Sequence, residues 1–317
     1  MNPDNLRTLR RAVLATIPLW VCAAAPLFGD VTLRYQSTIK AGTAAPPQVK
    51  EQLENSHAWG NSTLRMKNGQ GWSQAGPFLA IIDFAAEQLT LIDAEHKHFA
   101  KVPVAELPDK VSAAMPKPPE LSEEARKAMA AIKTTSESKV TGRTDTILGI
   151  QAEERQFMIT IEMPMPAGAQ KPAMSMKMVI EIWNAKPDEA LHNPGVRELM
   201  GYKLWANYFM NPARMMEKML ANMPGDSSRM VKSMMEGVSA NNSVTLRMRM
   251  GMYLPLPGAA DPESLMFEMT NEAVELSATP VDASIFQIPA GYQTVDAGEL
   301  LKNVMERQMA EMGTAKQ

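Results

Sequence analysis

The chain has 317 residues, 45% hydrophobic and 21% charged, with a formal net charge of -3, one cysteine and 27 methionines. Such apolar content with so little net charge excludes a disordered chain and is enough to bury a core in one large domain or two modest ones. A mildly acidic balance with no basic block excludes nucleic acid as the partner, because such binding depends on clustered lysine and arginine.

Arg7, Arg10 and Arg11 precede an apolar run from Ala12 to Phe28, closed by Gly29-Asp30. A basic start followed by a short apolar run broken at Pro18 and Pro26 predicts a secretory signal peptide over residues 1–29. A membrane-spanning helix would need about 20 unbroken apolar residues. A retained anchor and lipid attachment at Cys22 are the alternatives, and Arg10-Arg11 also fits twin-arginine export. Loss of residues 1–29 would leave 29 basic and 34 acidic side chains and no cysteine. The expected location is therefore the periplasm or cell envelope of a bacterium, and stability there must come from core burial rather than disulfides.

From Asp30 to about Leu107 the pattern is strand and turn. Residues Val31 to Ile39 alternate, with Val31, Leu33, Tyr35, Ser37 and Ile39 on one face; a polar loop follows. Ser62 to Lys67 runs into Asn68-Gly69, which supplies the positive φ angles of a tight hairpin. Strands are predicted at 78–83, 88–92 and 97–102, with turns at 84–87 and 93–96, giving an antiparallel meander. Residues 108–137, with Pro108, Pro116, Pro118 and Pro119, read as a linker holding one helix from Leu121 to Ile132, N-capped by Ser122. Strands resume at 139–144, 151–162 and 175–183, with Leu148-Gly149 as the turn between the first two. Residues 187–238 are helical, with Val196, Leu199, Met200, Leu204, Trp205, Tyr208 and Phe209 at helical spacing, Asn211-Pro212 capping a second helix and Asp226 a third. Strands return at 243–254, 265–276 and 285–288, and an amphipathic helix at about 296–317 ends the chain.

Arg65-Met-Lys, Ile81-Ile-Asp-Phe, Leu89-Thr-Leu-Ile-Asp93 and Lys97-His-Phe-Ala-Lys-Val102 resemble the opening meander of a family of exported bacterial proteins grouped as a domain of unknown function. Residues 144–152 and the closing Pro280-Val-Asp-Ala-Ser-Ile-Phe-Gln-Ile-Pro-Ala-Gly-Tyr292 are similar to its later segments. That family resembles the lipoprotein-localisation carriers (LolA/LolB-like) in fold. The resemblance implies an α+β domain over residues 30–295, a curved antiparallel half-barrel wrapped around helices and enclosing an apolar cavity, with 187–238 as a helical insertion. The arginine with which those carriers regulate cavity opening has Arg65 as a positional candidate.

Twenty of the methionines lie between Met158 and Met269. On strands, Met174, Met176 and Met178 continue into Ile180 and Ile182, and Val244 and Leu246 continue into Met248, Met250 and Met252. Side chains two apart share a strand face, so each run is an apolar stripe with Ser175, Lys177, Glu181, Thr245, Arg247 and Arg249 on the other side. The candidate ligand-binding set is Met174, Met176, Met178, Ile180, Leu246, Met248, Met250 and Met252, whose flexible thioethers suit an irregular apolar ligand such as an acyl chain. An ordinary core built with methionine gives the same pattern. The same thioether spacing also suits copper(I).

His96 and His98 could hold zinc with Asp93 or Glu95, but without a third ligand at diagnostic spacing a solvated hairpin is the simpler expectation. Gly71-Trp-Ser-Gln-Ala75 lacks the final glycine and the following helix of a nucleophile elbow, which leaves Ser73 as a turn residue. There is no phosphate-binding loop, dinucleotide fingerprint or His-Glu-x-x-His motif. The expectation is a non-enzyme without cofactor or metal that binds a lipid or other apolar small molecule. A non-catalytic envelope module that docks a protein partner through the helical insertion is the alternative, beside copper(I) binding.

Overall fold

The structure, a computed structural model, describes residues 29–43, 45–55, 61–75, 78–114, 122–123, 131–163, 174–209, 243–254 and 264–314. The predicted signal peptide (apart from Gly29), the proline-bounded helix from Leu121 to Ile132 (apart from Ser122, Glu123, Ala131 and Ile132) and the helices capped by Asn211 and Asp226 lie outside them. Among the described residues no helix is long and apolar enough to cross a membrane.

One twelve-stranded open sheet dominates an α+β fold. In chain order its strands are β1 (Val31–Ala41), β2 (Ser62–Lys67), β3 (Gln70–Ala75), β4 (Phe78–Asp83), β5 (Gln88–Asp93), β6 (His98–Pro103), β7 (Lys133–Ile147), β8 (Ile150–Met163), β9 (Met174–Ala185), β10 (Thr245–Leu254), β11 (Ser264–Ser277) and β12 (Gln293–Thr294). Across the sheet they run β12-β6-β5-β4-β3-β2-β1-β11-β10-β9-β8-β7. The first meander and the later one meet where β1 pairs with both β2 and β11. All pairings are antiparallel except β12 with β6. The α-helices among the described residues are α1 (Pro47–Asn55), α2 (Leu107–Ala114), α3 (Glu189–His192), α4 (Pro194–Phe209) and α5 (Ala297–Thr314).

Local chemistry explains the turns and helix starts. Asn68 and Gly69, at φ 48° and 76°, form the β2–β3 turn, and Leu148 and Gly149, at 54° and 78°, the β7–β8 turn. Both central residues of such a two-residue hairpin need positive φ. Asn193 caps α4 by accepting the Val196 N–H at 3.1 Å, with Pro194 in the first helical position, where its missing donor costs nothing. Asp296 caps α5, accepting the N–H groups of Gly298 and Glu299 at 2.8 and 3.1 Å.

The main core fills one face of the sheet. Val31, Leu33, Met66, Leu89, Leu91, Ala100, Val102 and Ala273 are buried in one cluster with Val111 and Ala114 of α2, Val196 and Leu199 of α4, and Leu300, Leu301 and Val304 of α5. On the opposite face Ile81 and Ile92, with Trp72, Leu79 and Phe99, pack beneath the segment that carries Val281, Ile285, Phe286 and Tyr292. Asp30 pins that segment by accepting the Val281 N–H at 2.6 Å and the Lys67 ammonium at 2.8 Å, while Lys67 also donates to the Val281 carbonyl.

Several sequence expectations need correction. The polar loop after β1 holds α1, and the stretch from Pro108 assigned to a linker holds most of α2. Pro47 and Pro108 stand in the first turns of these helices, where proline is tolerated rather than disruptive. Strand β7 extends well beyond 139–144 at both ends; its Thr- and Ser-rich sequence lacks a clear apolar alternation because it is an edge strand. Residues 285–288 do not form a strand: Ala283–Phe286 is a 3-10 turn, with Asp282 accepting the Ser284 N–H at 2.9 Å. Gly291, at φ 84°, then redirects the chain into β12. Ser73 lies within β3 opposite Leu64 and Ala80, not in a turn.

Candidate ligand-binding face

Strand register turns the two methionine stripes into continuous rows across six strands. Ser136, Ile159, Met178, Met252, Phe267 and Ala41 stand opposite one another in turn across β7-β8-β9-β10-β11-β1. The next row is Ser138, Phe157, Ile180, Met250, Met269 and Ile39; the next is Val140, Arg155, Ile182, Met248, Asn271 and Ser37. Ile39 and Ser37 stand at even spacing from Leu33, so on β1 these rows share the face that carries Val31 and Leu33 of the main core. Phe157, Ile180 and Ile182 are buried in a cluster of their own, against half-buried Met178, Met248 and Met250. At the margin, the Ser37 hydroxyl pairs with Asn271 Oδ1 at 3.0 Å.

The predicted residues fall unevenly into this arrangement. Met178, Ile180, Met248, Met250 and Met252 are brought together. Met176 is half-buried opposite Ile161, one row farther out. Leu246, fully buried, belongs to the main core: the register between β9 and β10 shifts around it, and a residue in such a bulge leaves the alternation of its strand. Met174 lies opposite Met163, but its side chain is outside the described residues. Phe157, Ile159, Phe267 and Met269 complete the rows and were not singled out in the sequence. Their signal was the apolar alternation within 151–162 and 265–276, but alternation does not reveal which residues oppose the methionines.

The polar residues between the methionines form an ion-pair ladder on the other face. Arg249 bridges Glu268 and Glu181. Arg247 binds Glu272 and Asp145, each at 2.6 Å. Arg143 joins Glu154 to Glu181, and the fully buried Glu154 carboxylate also accepts from the Thr141 hydroxyl. Arg143 and Arg247 both stack on Trp183, at 5.8 and 5.7 Å from its ring. Hydrogen bonding to Glu272, and less so to Asp145, raises the Arg247 pKa against the opposing effect of burial. These mutually neutralised charges line one side of β7 to β11, opposite the methionine rows.

The β5–β6 turn departs from the solvated hairpin expected there. Asp93 Oδ2, Glu95 Oε2 and His96 Nδ1 converge on the Arg307 guanidinium of α5, with Asp93 at 2.7 Å and Glu95 at 3.0 Å. Asp93, Glu95 and His96 also place potential metal-ligand atoms within 4.8 Å of one another, and the His98 ring stacks 6.1 Å from that of His96. A protein cation sits among these atoms, so the group acts as an anchor for the last helix. Burial raises the Asp93 pKa, but hydrogen bonds from Arg307 and His96 outweigh it and hold the carboxyl below its ordinary value. Arg65, the positional candidate for a gating arginine, stacks on Trp72 at 5.3 Å. It alternates with Leu64 and Met66 of the main core and so lies on the face away from the methionine rows.

No family model matches this chain, and no curated protein matches it.

Proposed function

We propose that this is an exported, non-catalytic binding protein that holds a lipid or other apolar ligand against the rows centred on Met178, Ile180, Met250 and Met252. The observation that carries the proposal is their alignment: three adjacent strands, β9, β10 and β11, bring unbranched thioethers together beside buried Phe157 and Ile180. Methionine adapts its shape to a ligand more readily than branched side chains do, and an apolar face with few polar groups suits an acyl chain. In this proposal the open sheet curves into a half-barrel like that of the lipoprotein-localisation carriers, the chain enters the bacterial periplasm or envelope behind a cleaved signal peptide, and 187–238 is a helical insertion in that fold. Fold analogy supports the architecture; the rows themselves support the ligand class.

Native mass spectrometry of the protein recovered from an exporting bacterial host, followed by solvent extraction, tests this function. The expected result is a mass above that of the polypeptide and an extractable lipid, both lost when Ile180→Asp places a charge in the middle row. A bare polypeptide that also fails to displace a fluorescent fatty-acid probe would end it.

One observation favours copper(I) as a second function: register sets Met178 opposite Met252 and Met250 opposite Met269, so thioethers adjoin across strands as well as along them. Cuprous-ion affinity should then fall when Met248, Met250 and Met252 are changed together to leucine, and an unchanged affinity would remove this function.

A further inference from the structure

We propose that this protein pairs with a second copy of itself through the open edge of β7, the two strands running antiparallel about a two-fold axis at Ser138. The pairing joins two twelve-stranded sheets and does not depend on a ligand.

β7 is the long edge of the sheet. It runs for 15 residues without a proline, and among the described residues nothing pairs with its outer side. The opposite edge, β12, has two residues and is followed at once by α5. An edge strand turns half of its backbone N–H and C=O groups outward, where they form a template for another strand, and the charges it carries decide which strand can pair with it. From Glu137 to Val140 every residue of β7 is exposed, Val140 by 63%.

The charges select the partner. Farther along β7, Arg143 is matched within the chain by Glu154 and Glu181, and Asp145 by Arg247. Glu137 and Lys139 are exposed, and their opposite numbers on β8 are Met158 and Gln156, neither of them charged. Opposite charges two residues apart on one strand face complement themselves in an antiparallel pair: with the axis at Ser138, Glu137 of each copy stands against Lys139 of the other. Ser136 then meets Val140, and the row through Ser138, Phe157, Ile180 and Met250 continues across the axis. An axis at Glu137 or Lys139 sets like charges against each other, and one at Ser136 opposes Lys133 to Lys139. An axis at Thr135 pairs Glu137 with Lys133, which already faces Glu162 on β8. Beyond Val140 the strand bulges, with Gly142 at φ 76°, and the match ends before Lys133 would meet Arg143. A contact of this length is small, so the dimer is weak and reversible.

Sedimentation velocity of the protein recovered from an exporting host, loaded from about 1 µM to about 1 mM to bracket a weak interface, tests the pairing. The wild type should pass from monomer to dimer across that range. Glu137→Lys alone, or Lys139→Glu alone, should raise the dissociation constant by about tenfold or more, because the symmetry sets like charges against each other twice. Glu137→Lys and Lys139→Glu together exchange the two charges and should restore the dimer. Both side chains are exposed, so the thermal melts of all three variants should match that of the wild type, which separates lost pairing from lost folding. A wild type that stays monomeric at the highest concentration overturns the proposal. So does a dimer that the single reversals leave intact, or one that the double exchange fails to rescue in a folded protein.

Discussion

Arg307 in the last helix places Nη2 2.7 Å from Oδ2 of Asp93, 214 positions earlier in the chain. The Asp93 side chain is only 6% exposed, and its other oxygen accepts the N–H groups of Glu95 and His96 in the β5–β6 turn. One carboxylate thus shapes the turn and anchors α5 over the core. Removing Arg307 would leave that charge buried without its cation. Arg307→Ala should therefore cost about 2–3 kcal/mol, below the range for a fully buried pair because the arginine is itself partly exposed. Urea denaturation measures the loss, and amide exchange should show faster opening of 297–314. A change within experimental error would mean that α5 is held by Leu300, Leu301 and Val304 alone.

Acid should weaken the same contacts. In Asp30, as in Asp93, burial raises the pKa, but the Lys67 and Val281 hydrogen bonds outweigh it, so the folded value is lowered. A carboxyl with a lowered folded pKa contributes stability above its unfolded pKa, about 4, and loses it as pH falls through the folded value. Unfolding midpoints recorded from pH 7 down to pH 2 should fall below about pH 4. Carrying Asp30→Asn and Asp93→Asn together should lower stability at pH 7 and flatten the acid limb. An acid limb of unchanged steepness in the double variant would assign acid sensitivity to other carboxylates.

Leu148 occupies a left-handed conformation at φ 54° while 45% exposed. For a residue with a branched apolar side chain this costs about 1 kcal/mol, and the exposed side chain recovers little of it by burial. Leu148→Asn should raise stability by about 0.5–1 kcal/mol by making this hairpin chemically like Asn68-Gly69. A lower melting temperature would show that Leu148 has packing value that its exposure does not suggest.

Gly42 makes the opposite case. Its N–H donates to the Met266 carbonyl at 2.8 Å, and a Cβ at this position would run into the backbone of Leu265. Because backbone cannot swing aside as a flexible side chain does, Gly42→Ala should destabilise by about 2 kcal/mol or more. Calorimetry of this variant beside Gly69→Ala separates crowding from backbone conformation, since nothing lies near the Cβ position of Gly69.

The hairpin strands were legible because alternation and turn chemistry are local. Val31 to Ile39, the Asn68-Gly69 turn and the Leu148-Gly149 turn could be read from side-chain period and glycine position. Helices α1 and α2 were not, because Pro47 and Pro108 look like breakers until their places in first turns are known. The 3-10 turn at Ala283–Phe286 was misread for a related reason: Ile285 and Phe286 are apolar because a second core needs them, not because they alternate in a strand.

What the sequence alone determined is periodicity: Met178 and Ile180 must share a strand face, as must Met248, Met250 and Met252, because successive side chains on a strand point to opposite sides. What only the tertiary structure decided is register. Nothing local to Met178 specifies Met252 as its opposite number, or places Arg155 at the end of the row through Ile182 and Met248. A shift of one residue between two strands would present the arginines in place of the methionines, and the pairing is chosen by how the whole sheet buries its apolar face against the helices. The anchoring of Asp93 by Arg307 is of the same kind, since a contact across 214 residues exists only once α5 has docked.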